Sequence, residues 1–130
     1  MRRAIDLVAR LQARQPHDRS LGQHVLIDEP HHHALATMAG ARQGRTVLEI
    51  GPGPGTLTEH LLRAGAVVHA IEIDAVAVDH LRTTFAEEIE EQRLVLTEGD
   101  ALGATWPNAI DAVVSNIPYQ ISSPLIDALE

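Results

Sequence analysis

The sequence predicts an α/β fold built on a doubly wound parallel sheet. Apolar runs of strand length occupy residues 46–50, 67–71, 94–97 and 110–115. Longer segments with helical spacing of their apolar residues separate these runs, and the first run leads directly into a glycine-rich turn. Short buried strands that alternate with helices are typical of a parallel sheet with helices on both faces.

Local signals give the order of the helices along the chain. The first helix carries its apolar side chains on one stripe and is followed by a loop over residues 15–23. The second opens at Asp28 or Glu29, because Pro30 is tolerated in a first helical turn. The predicted helices cover residues 3–14, 28 to about 44, 56–64 and 75–90, and a last one starts at residues 122–125.

The fourth strand, residues 110–115, has no further strand after it to cover it. In a sheet of this type a fifth strand would normally pair with it, so we predict an exposed apolar edge. The sequence therefore predicts a fold that is incomplete at its C-terminus.

Composition limits the classes of protein that the chain can belong to. With 130 residues, of which 45% are hydrophobic, it can bury one core. No run of 18 apolar residues is present, so we expect no membrane partner and a cytoplasmic location. The absence of cysteine excludes disulfides and thiolate metal sites.

His31, His32 and His33 point about 100° apart on a helix, so they cannot converge on one metal ion. We therefore expect no metal site at these residues and expect the histidines to be partly exposed.

Charge is unevenly distributed. All ten basic residues are arginines, against 18 acidic residues and a net charge of −8. Residues 1–19 nevertheless hold five arginines against only Asp6 and Asp18. If RNA contacts the chain outside its active site, the N-terminal arm is the better candidate, although a solvated helix face with excess arginine is an equally good interpretation.

The glycine-rich turn predicts a nucleotide-like cofactor. Gly51, Gly53 and Gly55 lie between a buried strand and a helix, where backbone can approach a ligand and helix N–H groups point at it. Thr56 stands where a dinucleotide fingerprint needs its third glycine, which favours S-adenosylmethionine over NAD and disfavours an oxidoreductase. The alternative is a tight turn that binds no ligand.

Carboxylates follow the next two strands. Glu72 lies about 20 residues after the first glycine, where an acidic side chain accepts hydrogen bonds from ribose hydroxyls. Asp74 is better explained as the cap of the helix that begins at Ala75. Asp100 follows the third strand, where it could accept a hydrogen bond from an adenine amino group. Gly51, Glu72 and Asp100 should therefore share the carboxyl edge of one sheet.

Asn116-Ile117-Pro118-Tyr119 follows the fourth strand and predicts methyl transfer to an exocyclic amino group. The lone pair of adenine N6 is delocalised into the ring. The Asn116 side-chain oxygen and the Ile117 carbonyl could accept from its N–H groups and favour a more nucleophilic nitrogen. Pro118 stiffens the turn, and Tyr119 can stack on an unpaired base. An ordinary turn after a strand is the alternative.

These residues resemble the ribosomal RNA adenine dimethylases, which convert two adjacent adenines of small-subunit rRNA to N6,N6-dimethyladenine. The resemblance covers roughly residues 18–130 and rests on five motifs in the family's order. They are Leu21-Gly22-Gln23-His24-Val25-Leu26, residues 47–58, Ile71-Glu72-Ile73-Asp74, residues 98–102 and residues 116–124. The family usually has Phe at the position of Val25.

The resemblance implies a Rossmann-like class I S-adenosylmethionine-dependent methyltransferase that acts in ribosome biogenesis on immature small subunits. It implies an arm over residues 1–24, a partial cofactor-binding domain over residues 25–130, and no C-terminal RNA-binding helical domain. The implied cofactor residues are His24, Leu26, Gly51, Gly53, Gly55, Glu72, Asp100 and Asn116, and the implied catalytic residues are Asn116, Pro118 and Tyr119. A large-subunit rRNA adenine methylase of the antibiotic-resistance type and a non-catalytic cofactor- or ribosome-binding fragment remain alternatives.

Overall fold

The computed structural model describes residues 1–14, 27–104 and 106–115. The helices in these ranges are α1 (Ala4–Arg14), α2 (Glu29–Met38), α3 (Thr56–Arg63), α4 (Ala75–Thr84) and α5 (Ala86–Glu90). The strands are β1 (Thr46–Ile50), β2 (Val67–Glu72), β3 (Leu94–Glu98) and β4 (Ala112–Ser115). None of the described helices is both long and apolar enough to cross a membrane. The predicted loop at residues 15–23 and the predicted helix after residue 121 lie outside these ranges.

The strands form one parallel sheet in the order β3-β2-β1-β4. The chain therefore winds outward from β1 in one direction to β3 and then crosses back to β4, which confirms the predicted doubly wound fold. Parallel strands of this kind are buried on both faces because helices or loops cover each side.

Apolar side chains on the two faces of the sheet enter different clusters. The larger cluster joins Val47 and Val68 to the core-facing sides of α2, α3 and α4. The smaller one joins Leu48, Ile50 and Ile71 to Trp106 and to other side chains of the segment before and within β4. Alternate residues of β1 thus bury against opposite layers, as the two-residue repeat of a strand requires.

Strand β4 is an edge strand of the described sheet, but it is shorter and less exposed than predicted. It begins at Ala112, and all four of its residues are half-buried. Val113 packs against the smaller cluster and Val114 against the larger one, so both faces of the strand have neighbours. The predicted edge position of the strand is therefore confirmed within the described residues, but its side chains are half-buried rather than exposed.

The single helix predicted over residues 75–90 is divided at Phe85. Phe85 has φ −109° and ψ 26°, which is outside helical geometry, and its side chain is fully buried. The second helix also ends earlier than predicted, at Met38. Gly40 has φ +69° and its N–H donates to the Thr37 carbonyl, a left-handed turn that ends the helix before Gly44.

Arg2 fixes the N-terminal helix to the rest of the fold. Its guanidinium donates to Glu59 at 2.7 Å and to both oxygens of Glu88 at 2.7 and 2.9 Å, and it lies 4.5 Å from the centre of the Phe85 ring. The hydrogen bonds that Arg2 donates to Glu88 hold the pKa of Arg2 well above its ordinary value. Glu88 is buried, although it belongs to an acidic run at residues 87–91.

Candidate cofactor site

The carboxyl ends of the first three strands are joined by backbone hydrogen bonds. The N–H of Gly51 donates to the Ile71 carbonyl at 2.9 Å, and the N–H of Gly99 donates to the Glu72 carbonyl at 2.8 Å. Asp100 follows Gly99 directly. The structure therefore brings Gly51, Glu72 and Asp100 to one edge of the sheet, as the sequence predicts.

Glu72 connects the glycine loop to the start of α4. Its Oε1 accepts from the Gly53 N–H at 2.9 Å, and its Oε2 accepts from the Asp74 N–H at 3.0 Å. The side chain of Asp74 accepts in turn from Val76 and Ala77, which confirms that Asp74 caps the helix. A carboxylate oxygen has two lone pairs, so each oxygen of Glu72 can still accept a hydrogen bond from a ligand hydroxyl.

The glycine loop is open on one side and closely packed on the other. A Cβ added to Gly53 would find its nearest neighbour, the Gly51 carbonyl oxygen, at 4.0 Å. A Cβ added to Gly55 would lie 2.6 Å from Phe85 Cε2 and 3.0 Å from Leu81 Cδ2. Gly53 therefore borders free space in which a ligand can approach the backbone, whereas Gly55 is required by the packing of α4 beneath the loop.

Two buried histidines contact the loop and the first residue of the helix that follows it. His80 Nε2 lies 2.8 Å from the Pro54 carbonyl oxygen, to which it donates, and burial lowers the pKa of His80. His32 Nε2 lies 3.1 Å from the Thr56 hydroxyl at the start of α3, and burial also lowers the pKa of His32. His31 and His33 are exposed, but His32 is fully buried, so the expectation of partly exposed histidines is wrong for His32.

Glu49 is a buried acid beside the loop. The Thr58 hydroxyl donates to Glu49 Oε1, while Oε2 has no hydrogen-bond partner among the described atoms. Burial, with a smaller contribution from the charge of Glu72, raises the pKa of Glu49 to about 8. The carboxyl group is therefore mostly protonated at neutral pH.

Exposed apolar side chains lie next to the strand-end acids Glu72 and Asp100. Ile73 follows Glu72 and is 71% exposed, and Leu102 follows the Asp100 turn and is 52% exposed. The carboxylate of Asp100 accepts from the Leu102 N–H at 3.0 Å and is itself exposed. A flat apolar ring with a polar edge can contact such a surface. Sequence reasoning missed both apolar residues, although each directly neighbours a strand-end acid.

The described residues fit S-adenosylmethionine. They combine an open glycine backbone, acceptors for hydroxyl groups, an unpartnered buried carboxyl oxygen and apolar side chains next to an acceptor. They include no group of three or more His, Asp or Glu side chains that could hold a metal ion. The predicted residues His24, Leu26, Asn116, Pro118 and Tyr119 lie outside the described ranges.

Comparisons with known proteins point to one family. The profile of the ribosomal RNA adenine dimethylase family matches residues 15–129. A Gloeobacter violaceus protein named ribosomal RNA small subunit methyltransferase A is 45% identical over 108 residues, which cover 83% of this chain and 38% of that protein. The chain spans less than half the length of the curated relatives that it matches.

Two solved structures share the architecture. The crystal structure of a dimethyladenosine transferase from Plasmodium falciparum has a TM-score of 0.64 and 36% identity, over 75% of this chain and 35% of that one. The crystal structure of the 23S rRNA methyltransferase ErmE has a TM-score of 0.67 and 32% identity, over 77% of this chain and 40% of that one.

Proposed function

The chain belongs to the ribosomal RNA adenine dimethylase family, and we propose that it transfers methyl groups from S-adenosylmethionine to N6 of adenines in small-subunit rRNA. The observation that carries the proposal is the hydrogen bond from Gly53 to Glu72, which places the cofactor loop beside an acid at the carboxyl edge of the sheet. The products are N6,N6-dimethyladenines. The partner is the immature small ribosomal subunit in the cytoplasm, where the modification contributes to ribosome biogenesis.

The cofactor is held by the loop and by the strand ends. When bound, S-adenosylmethionine supplies a methyl group on a positively charged sulfur. Glu72 accepts from the ribose hydroxyls with its remaining lone pairs, and Asp100 accepts from the adenine amino group, with Ile73 and Leu102 as apolar neighbours. The other cofactor residues are His24, Leu26, Gly51, Gly53, Gly55 and Asn116.

The target base is bound by the motif after β4. The Asn116 side-chain oxygen and the Ile117 carbonyl accept from the exocyclic N–H groups, which favours a nitrogen with an available lone pair. Pro118 stiffens this turn, and Tyr119 stacks on the base, a contact worth about 1–3 kcal/mol. No strong general base is needed before attack, because the nitrogen becomes acidic only after it gains positive charge. The base reaches the site unpaired or flipped out of its helix.

The proposal divides the chain into two functional parts. Residues 1–24 form an N-terminal helix and an arm that contacts the cofactor, and residues 25–130 form part of the S-adenosylmethionine-binding methyltransferase domain. Arg2 holds the start of the N-terminal segment against α3 and α5, so α1 is anchored to the domain that follows it.

Two alternative functions each have a specific observation in their favour. The likeness to ErmE supports a large-subunit rRNA adenine methylase, but the curated relatives with 42–48% identity carry small-subunit names. The other alternative is a non-catalytic chain that binds cofactor or ribosome, since the loop and the strand-end acid can hold a cofactor without transferring its methyl group.

The test is methyl incorporation into immature small subunits and, in parallel, into large-subunit rRNA. We expect incorporation into small subunits that is lost in Asn116→Ala and kept in the matched control Asn108→Ala, which changes an exposed asparagine of the same domain. Equal incorporation by Asn116→Ala and the unchanged chain would refute the catalytic role. Cofactor binding without incorporation would support the non-catalytic alternative, and labelling of large-subunit rRNA alone would support the resistance-type enzyme.

A further inference from the structure

A cavity between α1 and α4 lies behind the cofactor loop. It has a volume of about 370 Å³ and is lined by Arg10, Arg14, His80, Thr83 and Thr84. The arginines are one helical turn apart, so their side chains lie on the same face of α1. Guanidinium groups and hydroxyls are the side chains that phosphate oxygens bind in proteins.

The cavity is positively charged in an acidic chain. Arg14 is paired with Asp79 of α4, and the charge of Arg82 also acts on that carboxylate and helps to lower its pKa. Two arginines thus act on one acid, and Arg10 lies one helical turn from Arg14, whereas the whole chain has a net charge of −8. Burial lowers the pKa of His80, and the charges of Arg14 and Arg10 lower it further, so their positive potential reaches the ring inside the cavity.

Neither arginine of the cavity is committed to holding the fold together. Arg10 is exposed and pairs with no carboxylate in residues 1–14, 27–104 or 106–115. The ion pair of Arg14 joins side chains that are 38% and 62% exposed. Exposed pairs of this kind contribute little to stability, so Arg14 can exchange its carboxylate for another anion.

The position of the cavity connects it to the methyl-transfer site. His80 lines the cavity and donates to the Pro54 carbonyl in the cofactor loop. Helix α1 ends at Arg14, and residues 15–26 lead from it to the proposed cofactor residues His24 and Leu26. The His80 side chain would therefore connect an anion in the cavity to the cofactor loop.

We propose that this cavity binds a backbone phosphate of the substrate RNA, outside the pocket for the target base. The inference rests on the proposed function, because it assumes an RNA substrate. Phosphate contacts fix the register of a nucleic acid on a protein without reading its sequence. This contact would orient the RNA strand relative to the cofactor loop while the Asn116 motif selects the base.

The test is the salt dependence of binding between the 130-residue chain and a small-subunit rRNA fragment that contains adjacent unpaired adenines. The variants are Arg10→Gln, Arg14→Gln and the double variant. Arg42→Gln is the matched control, because it removes the same charge from an exposed residue that precedes β1 and does not line the cavity. Calorimetry with S-adenosylmethionine checks that the cofactor site of each variant is intact.

We expect each cavity variant to bind the RNA several-fold more weakly and to reduce the slope of log K against log salt by about 0.7–0.9, the value for one lost phosphate contact. The control should leave the slope unchanged. If Arg10→Gln and Arg42→Gln behave alike, the cavity site is refuted while the proposed function stands. If the unchanged chain binds no rRNA, the proposed function fails and this inference fails with it.

Discussion

Replacing Gly55 by alanine tests how the cofactor loop is supported. Gly55 has φ +94°, so an alanine there adopts a left-handed conformation at a cost of about 1–2 kcal/mol. The added methyl would also lie 2.6 Å from Phe85 Cε2 and 3.0 Å from Leu81 Cδ2, and overpacking of this kind costs about 1–3 kcal/mol. We expect Gly55→Ala to reduce the free energy of unfolding by about 2–5 kcal/mol, the sum of these two costs.

A matched variant separates the two costs. Gly44 has φ +88°, but a Cβ there would meet no atom within 4 Å, so Gly44→Ala should show the backbone cost alone. A second comparison uses Phe85→Leu, which removes the nearest ring atoms. Because it relieves the contact, the double variant Gly55→Ala/Phe85→Leu should be more stable than the sum of the two single changes by about 1–3 kcal/mol.

Urea denaturation followed by far-UV circular dichroism measures these differences, with S-adenosylmethionine affinity as a second measurement on the folded variants. The crowded Gly55→Ala variant should also bind the cofactor more weakly than Gly44→Ala, because Phe85 and the loop must move apart. If Gly55→Ala costs no more stability than Gly44→Ala, or if its effect adds to that of Phe85→Leu without coupling, the proposed packing of α4 beneath the loop is wrong.

Three further changes have expected outcomes. Glu49→Gln should remove one pH dependence. The folded chain keeps a proton on Glu49 that the unfolded chain releases, so the stability of the unchanged chain relative to the variant should fall between pH 4.5 and about 8, and denaturation of both at several pH values measures this difference. Arg2→Met should cost about 2–4 kcal/mol, because it removes the cation that the buried carboxylates of Glu59 and Glu88 share and leaves Glu59 only Arg63 at 3.8 Å. Arg3→Met at an exposed position should cost almost nothing in thermal denaturation. Gly53→Ala should destabilise the chain only by the backbone cost of φ +56°. Its methyl group would, however, enter the space open to the ligand, so calorimetry should show a large loss of S-adenosylmethionine affinity. Unchanged affinity would contradict the inference that the ligand approaches the loop at Gly53.

The sequence predicted the parts of the fold that have local causes. Each strand was found from a short apolar run, and the cap at Asp74 was found from its position before a helix. The meeting of Gly51, Glu72 and Asp100 at one edge was also predictable, because the carboxyl ends of parallel strands share an edge.

Other features could not be predicted because they depend on residues distant in the chain. The division of the helix at Phe85 follows from burial of that ring between the loop and Arg2, and nothing in the local pattern breaks the helical spacing there. The burial of His32 depends on α3, whose first residue Thr56 contacts its ring. Glu88 is buried because an arginine near the N-terminus lies against it.

By itself, the amino-acid sequence determined the order of strands and helices, the glycine loop and the acids at the strand ends, since apolar spacing, glycine and caps act within a few residues. Only the tertiary structure decided which charged groups are buried, how α4 supports the loop through His80 and Phe85, and why Glu49 keeps its proton. Those properties come from burial and from contacts between side chains that packing brings together, and a linear pattern contains neither.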